Sequence, residues 1–133
     1  MKYALSHCVA FRLRRLSRIA DGHIRKVLSD HKITENQVTL LFTLHEMGRV
    51  EQGKIGEALC LERSTISRNF KLLEKQGLVV RTNDYRPEVE LTEKGIDLAK
   101  TIIPKWEKAM DILMGTLNDE GMGSLKNLEK RML

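Results

Sequence analysis

Between Arg63 and Gly77 the chain places Ser64, Arg68, Lys71 and Lys75 on one side and Ile66, Phe70 and Leu73 on the other when wound at about 100° per residue. One side needs a core; the other presents hydroxyl, guanidinium and ammonium donors. Such a cylinder fits the major groove of duplex DNA, where arginine and serine can reach base edges and lysine can reach phosphate. Thr65 and Ser67 complete the candidate DNA contacts on this segment, which reads as a recognition helix.

Something must position that helix. Upstream, Lys54 to Leu59 repeats the helical spacing with Ile55, Ala58 and Leu59 apolar, and Cys60 to Glu62 forms a short connection. Two short helices joined by a tight turn make a helix-turn-helix, whose second helix enters the groove. Downstream, Leu78 to Thr82 and Glu88 to Thr92 are β-favouring runs around the polar Asn83-Asp84-Tyr85-Arg86-Pro87, the pattern of a hairpin wing.

The flanking segments are helical. From Leu5, the positions Leu5, Val9, Leu13, Leu16, Ala20, Ile24 and Val27 recur at intervals of four and three and predict one long helix. Thr34 followed by Gln37 has the capping-box form, so a second helix should start near Glu35, turn Val38, Leu41, Leu44 and Met47 inward, and stop at Gly48. Residues 49 to 51 leave room for one pairing residue of sheet. Thr92 should cap a helix carrying Ile96, Ala99, Ile103, Trp106, Met110, Leu113 and Leu117, with a kink expected at Pro104. Asn118 or Asp119 can cap a last helix with Met122, Leu125 and Leu128 inward.

The fold class is therefore mainly α with a small β-hairpin wing, in one domain of 133 residues. Residues 1–32 and 96–133 read as dimerisation helices and 33–95 as the winged helix-turn-helix unit. The apolar stripes of the outer helices exceed what the central unit can cover, which predicts a two-fold dimer.

Composition narrows the functional classes. The net charge of +5 is concentrated in residues 1–32, with 8 basic and 2 acidic side chains, and 49–86, with 8 and 5, which suits a polyanionic partner. Two cysteines make no disulfide framework, and arginines interrupt the N-terminal apolar run, so a cytoplasmic protein with neither export signal nor membrane span is expected. There is no phosphate-cradling glycine loop, H-E-x-x-H or G-x-S-x-G, so the chain does not read as an enzyme and implies no cofactor.

With LRRLSR in the first helix, STISRNFKLLEKQGLVVR at the reader, Asp84-Tyr85-Arg86 in the wing and LTEKG after it, the whole chain resembles the MarR family of bacterial transcriptional regulators. The resemblance implies a homodimer that binds a pseudo-palindromic DNA operator, usually as a repressor, and is released by a small-molecule effector or by thiol oxidation. It implies that Arg86 enters the minor groove, favoured by the negative potential of a narrow groove, and that Asp84 holds it; the alternative is that the two merely pair within the turn. The chain departs from the family pattern in having only six positions from Arg86 to Thr92, one fewer than expected, with Pro87 directly after the arginine.

Two switches are open. A crevice lined by Arg15, Arg18 and the surroundings of Trp106 would join cationic donors to an aromatic wall and suit a small aromatic carboxylate or phenolate. The resemblance also implies a redox role for Cys8, which has Arg12 one turn on and Tyr3 as the nearby tyrosine; the alternative is a small apolar residue, as for Cys60 in the turn. Metal ligands are not expected, because His7, Cys8, His23, His31 and His45 match no compact zinc spacing and neither residue type follows Cys60. A metal-responsive regulator and a winged-helix adaptor that binds protein instead of DNA are the remaining alternatives; the adaptor should carry apolar residues on the reader face.

Overall fold

The computed structural model describes residues 2 and 4–133; Tyr3 lies outside them. A 3-10 turn at Leu5–His7 is followed by α1 (Val9–Leu28), α2 (Glu35–Met47), β1 (Val50–Glu51), α3 (Gln52–Ala58), α4 (Arg63–Lys75), β2 (Val79–Arg81), β3 (Glu88–Leu91) and α5 (Glu93–Met132). No described helix is long and apolar enough to cross a membrane. Contacts divide the chain into two compact units, Leu28–Ile103 and the segments Met1–Val27 with Pro104–Leu133. Leu28, Ala99 and Ile102 are buried within the first of these units.

Local signals set most of this unit. The Thr34 hydroxyl accepts from the Gln37 N–H at 3.3 Å and the Gln37 side chain accepts from the Thr34 N–H at 3.1 Å, so two otherwise orphaned donors are satisfied at the start of α2. Val38, Leu41 and Leu44 are buried as expected; Leu40 is buried too, while Met47 is half exposed and does not serve the core. With α3 beginning at Gln52 rather than Lys54, Gln52, Ile55 and Gly56 are buried and Ala58 faces out. On α4, Ile66, Phe70 and Leu73 are all buried. Each such side chain stabilises the fold by roughly 1.5–3 kcal/mol relative to exposure.

The sheet order is β1-β3-β2, antiparallel throughout. β1 contributes two paired residues rather than one, with Val50 opposite Val89 and Glu51 opposite Glu88. β2 pairs Val79, Val80 and Arg81 with Leu91, Glu90 and Val89. Val79 and Val89 point into the core beneath α4 and α2.

In the other unit, α1 starts at Val9 instead of Leu5, because Cys8 is extended (φ −76°, ψ 114°) and ends the 3-10 turn. Arg12 stitches the turn to the helix by donating from Nε to the Ser6 carbonyl at 2.9 Å. Within α5 the residue that leaves helical angles is Asn118 (φ 56°, ψ −176°), not Pro104. Its side chain accepts from the Gly121 N–H at 3.1 Å and so caps the helical segment on its C-terminal side, the capping role its residue type predicts. Leu125 and Leu128 are not inward in the single chain, remaining 41% and 38% exposed.

Candidate nucleic-acid interface

Burial of Ile66, Phe70 and Leu73 fixes which way α4 faces. Ser64, Arg68, Lys71 and Lys75 are consequently exposed together, whereas Thr65 and Ser67 are half-buried at the edge of the same helix. Asn69 turns back on the helix and donates to the Thr65 carbonyl at 2.9 Å. The result is an open face of hydroxyls and cations with no competing acid from α4 except Glu74, which Arg81 already engages at 2.7 Å. Chemically it can donate to base-edge acceptors and neutralise phosphates.

The turn before α4 is tight. Leu61 N–H donates to the Gly56 carbonyl at 2.9 Å, and Cys60 between them takes a left-handed backbone (φ 52°). Cys60 is exposed, so its place is set by the turn and not by the core that a free cysteine usually seeks.

After α4 a compact set of bonds starts the wing. Gly77 adopts φ 74°, open to glycine without steric cost. The Thr92 hydroxyl donates to the Gly77 carbonyl at 2.6 Å and accepts from the Gly95 N–H at 3.1 Å. Lys94 donates to the Gln76 carbonyl at 2.8 Å, placing a cation at the C-terminal end of α4. A Cβ on Gly95 would lie 2.1 Å from the Leu78 carbonyl oxygen, so only glycine fits there.

The wing itself is closed by reciprocal bonds of 3.0 Å, Thr82 N–H to the Glu88 carbonyl and Glu88 N–H to the Thr82 hydroxyl. Residues 83 to 86 project from it, with Tyr85 94% exposed. Among the described residues no ion pair joins Asp84 to Arg86 in the free chain. The ion pairs sit at the wing's base instead, Arg49 to Glu88 at 2.9 Å and to Glu90 at 3.7 Å. Asp84 and Arg86 do share a crevice of about 600 Å³ with Arg49, Lys54, Tyr85 and Glu88.

The other candidates lie elsewhere. Arg15 and Arg18 are exposed on α1, Trp106 is half-buried on α5, and Cys8 is half-buried just before α1 rather than inside it. Among the described residues no group of three or more His, Cys, Asp or Glu could hold a metal ion. Two residues not singled out in the sequence are central to the geometry. Arg81 and the buried Gln52 bond to each other across 29 positions, and the only local signal for them is a polar side chain inside an apolar strand and at a helix start.

A family model described as MarR family matches residues 33–85. The HTH-type transcriptional regulator FarR of Neisseria gonorrhoeae is 31% identical over 108 residues, spanning 78% of this chain and 74% of that protein. The chain belongs to the MarR family. A solved structure of BpsR of Bordetella bronchiseptica, concerned with regulation of its DNA binding by 6-hydroxynicotinic acid, has the same fold, with a TM-score of 0.85 at 22% identity over 98% of this chain and 96% of that one. NadR in complex with 4-hydroxyphenylacetate matches with a TM-score of 0.79 at 26% identity over 94% of each chain. Like its MarR-family relatives, the chain is a transcriptional regulator and not an enzyme. The LTEKG segment that carries the resemblance has a physical basis in the bonds of Thr92 and Lys94 and the close approach at Gly95.

Proposed function

We propose that this MarR-family protein is a homodimeric repressor that seats one α4 per copy in successive major grooves of a pseudo-palindromic operator. The observation that carries this reading is the exposed row of Ser64, Arg68, Lys71 and Lys75 opposite the fully buried Ile66 and Phe70. Arg68 contacts a base edge, Lys71 and Lys75 contact phosphates, and Ser64, Thr65 and Ser67 supply hydroxyl donors. Arg86 is delivered by the wing to the minor groove, with Asp84 beside it as the carboxylate that holds it there. A protein-binding adaptor would need an apolar patch where these polar residues lie.

Residues 1–32 and 96–133 pair the two copies, leaving half-sites about one helical turn apart. A small aromatic carboxylate or phenolate, bound by Arg15, Arg18 and Trp106, releases DNA by favouring a dimer with the wrong reader spacing. The complex of NadR with 4-hydroxyphenylacetate supports that ligand class. Oxidation of Cys8 is the competing trigger. The protein acts in the cytoplasm, where its operator is.

The test begins with selecting bound fragments from random duplexes. Arg68→Ala should cost about 1–3 kcal/mol on the selected operator and relax one position of each half-site, while Lys75→Ala should weaken all sequences and flatten the salt dependence. Equal loss on operator and random DNA for Arg68→Ala would remove the base-contact assignment. Titrating operator complexes of wild type and Cys8→Ser with salicylate and with an organic peroxide separates the switches. Release by peroxide in wild type but not in Cys8→Ser would favour the thiol, and release by salicylate in both would favour the ligand.

A further inference from the structure

One side chain links the reader helix to α3, and α3 is in turn bonded to the end of the wing loop. Arg81, on β2 and largely buried, donates from Nε to Glu74 Oε2 on α4 at 2.7 Å and from Nη1 to Gln52 Oε1 on α3 at 3.2 Å. Gln52 is 7% exposed and its N–H donates to the Pro87 carbonyl at 2.9 Å, at the end of the wing loop. A path of four residues therefore runs from the reader helix through Arg81 and Gln52 to the residue next to Arg86.

A guanidinium is suited to this place because its planar fork meets two acceptors at fixed angles, which a lysine ammonium on a flexible stem does not. Glu74 is less exposed to screening than a free surface carboxylate because its partner is mostly buried.

We propose that Arg81 is a positioning residue that sets the wing against the recognition helix, so that Arg68 in the major groove and Arg86 in the minor groove engage one half-site together. The inference rests on the DNA-binding reading and adds to it a coupling between two contacts that do not touch each other. Arg81 touches no DNA. Its loss is expressed through Arg86, as groups in one hydrogen-bond network are energetically coupled.

The experiment is a double-mutant cycle on the full-length protein with an operator selected from random duplexes. Affinities are measured for wild type, Arg81→Lys, Arg86→Ala and the double variant, on operator and on random duplex, alongside thermal midpoints. Arg81→Lys should lower operator affinity by about tenfold, and Arg86→Ala should cost at least about threefold less in that background than in wild type. A merely structural role would lower the midpoint and scale all affinities alike, leaving the cost of Arg86→Ala unchanged. Glu74→Gln, which keeps an acceptor on a half-exposed side chain, serves as the second route if Arg81→Lys fails to fold, and should reduce the cost of Arg86→Ala in the same direction. Additive costs in both backgrounds overturn the proposal while leaving DNA binding intact. A wild-type protein that selects no duplex overturns the functional reading and this inference with it.

Discussion

Phe70, Leu73 and Ile102 are wholly buried within residues 28–103, whereas Leu16, Ile112 and Leu128 in the other unit are 59%, 63% and 38% exposed. The first region meets its apolar requirement within one chain, and its polar network of Thr34, Arg81, Thr92 and Lys94 is satisfied as well. The second presents long amphipathic helices whose apolar stripes the single chain leaves open. Monomeric proteins rarely leave such stripes bare. A closed unit can keep its reader face constant, while an open one leaves apolar surface for a second copy to cover.

The largest effect that would break this contrast comes from the open region. Replacing Leu125 and Leu128 together by Glu should convert a sedimenting dimer to monomer and lower operator affinity by about 10²–10⁴, because the second half-site is no longer delivered intramolecularly. The midpoint of the winged unit should change little. A tight-binding monomer in sedimentation and titration would end the distinction.

In the closed region, Phe70→Ala should lower unfolding free energy by about 3–5 kcal/mol in denaturant melts, since it empties a site with no exposure. If the loss is under about 1 kcal/mol, the core around α4 is not as packed as its burial implies. Gly95→Ala should cost about 1–3 kcal/mol, because its new methyl meets the Leu78 carbonyl and backbone must shift. Thermal melts and DNA titrations together check this, as the displaced strand should also impair operator binding.

The smallest effect has the opposite sign. Cys60 occupies a left-handed backbone in which a side chain is disfavoured, so Cys60→Gly should stabilise the protein by about 0.5–1 kcal/mol without altering DNA affinity. A measured destabilisation would show that the thiol makes a contribution its exposure does not indicate.

The features that the sequence determined by itself are those that depend on neighbours three or four residues away. The two faces of α4 follow from helical periodicity, the start of α2 from Thr34 and Gln37, and the cap at Thr92 from its hydroxyl, because each interaction closes within a turn of the chain. Even the second cap, at Asn118, is readable in this way, although residue type places the break in helical angles at Pro104. Tertiary structure decided the rest. Whether Leu40 or Met47 serves the core depends on where β3 and α4 meet α2, not on the α2 stripe alone. Periodicity cannot say that Arg81 will find Glu74 and Gln52, since the second of these partners lies 29 positions away and is brought in only when the helix-turn-helix packs on the sheet. Local backbone geometry is written in residue order; the meeting of distant polar groups is set by how the buried faces close over one another.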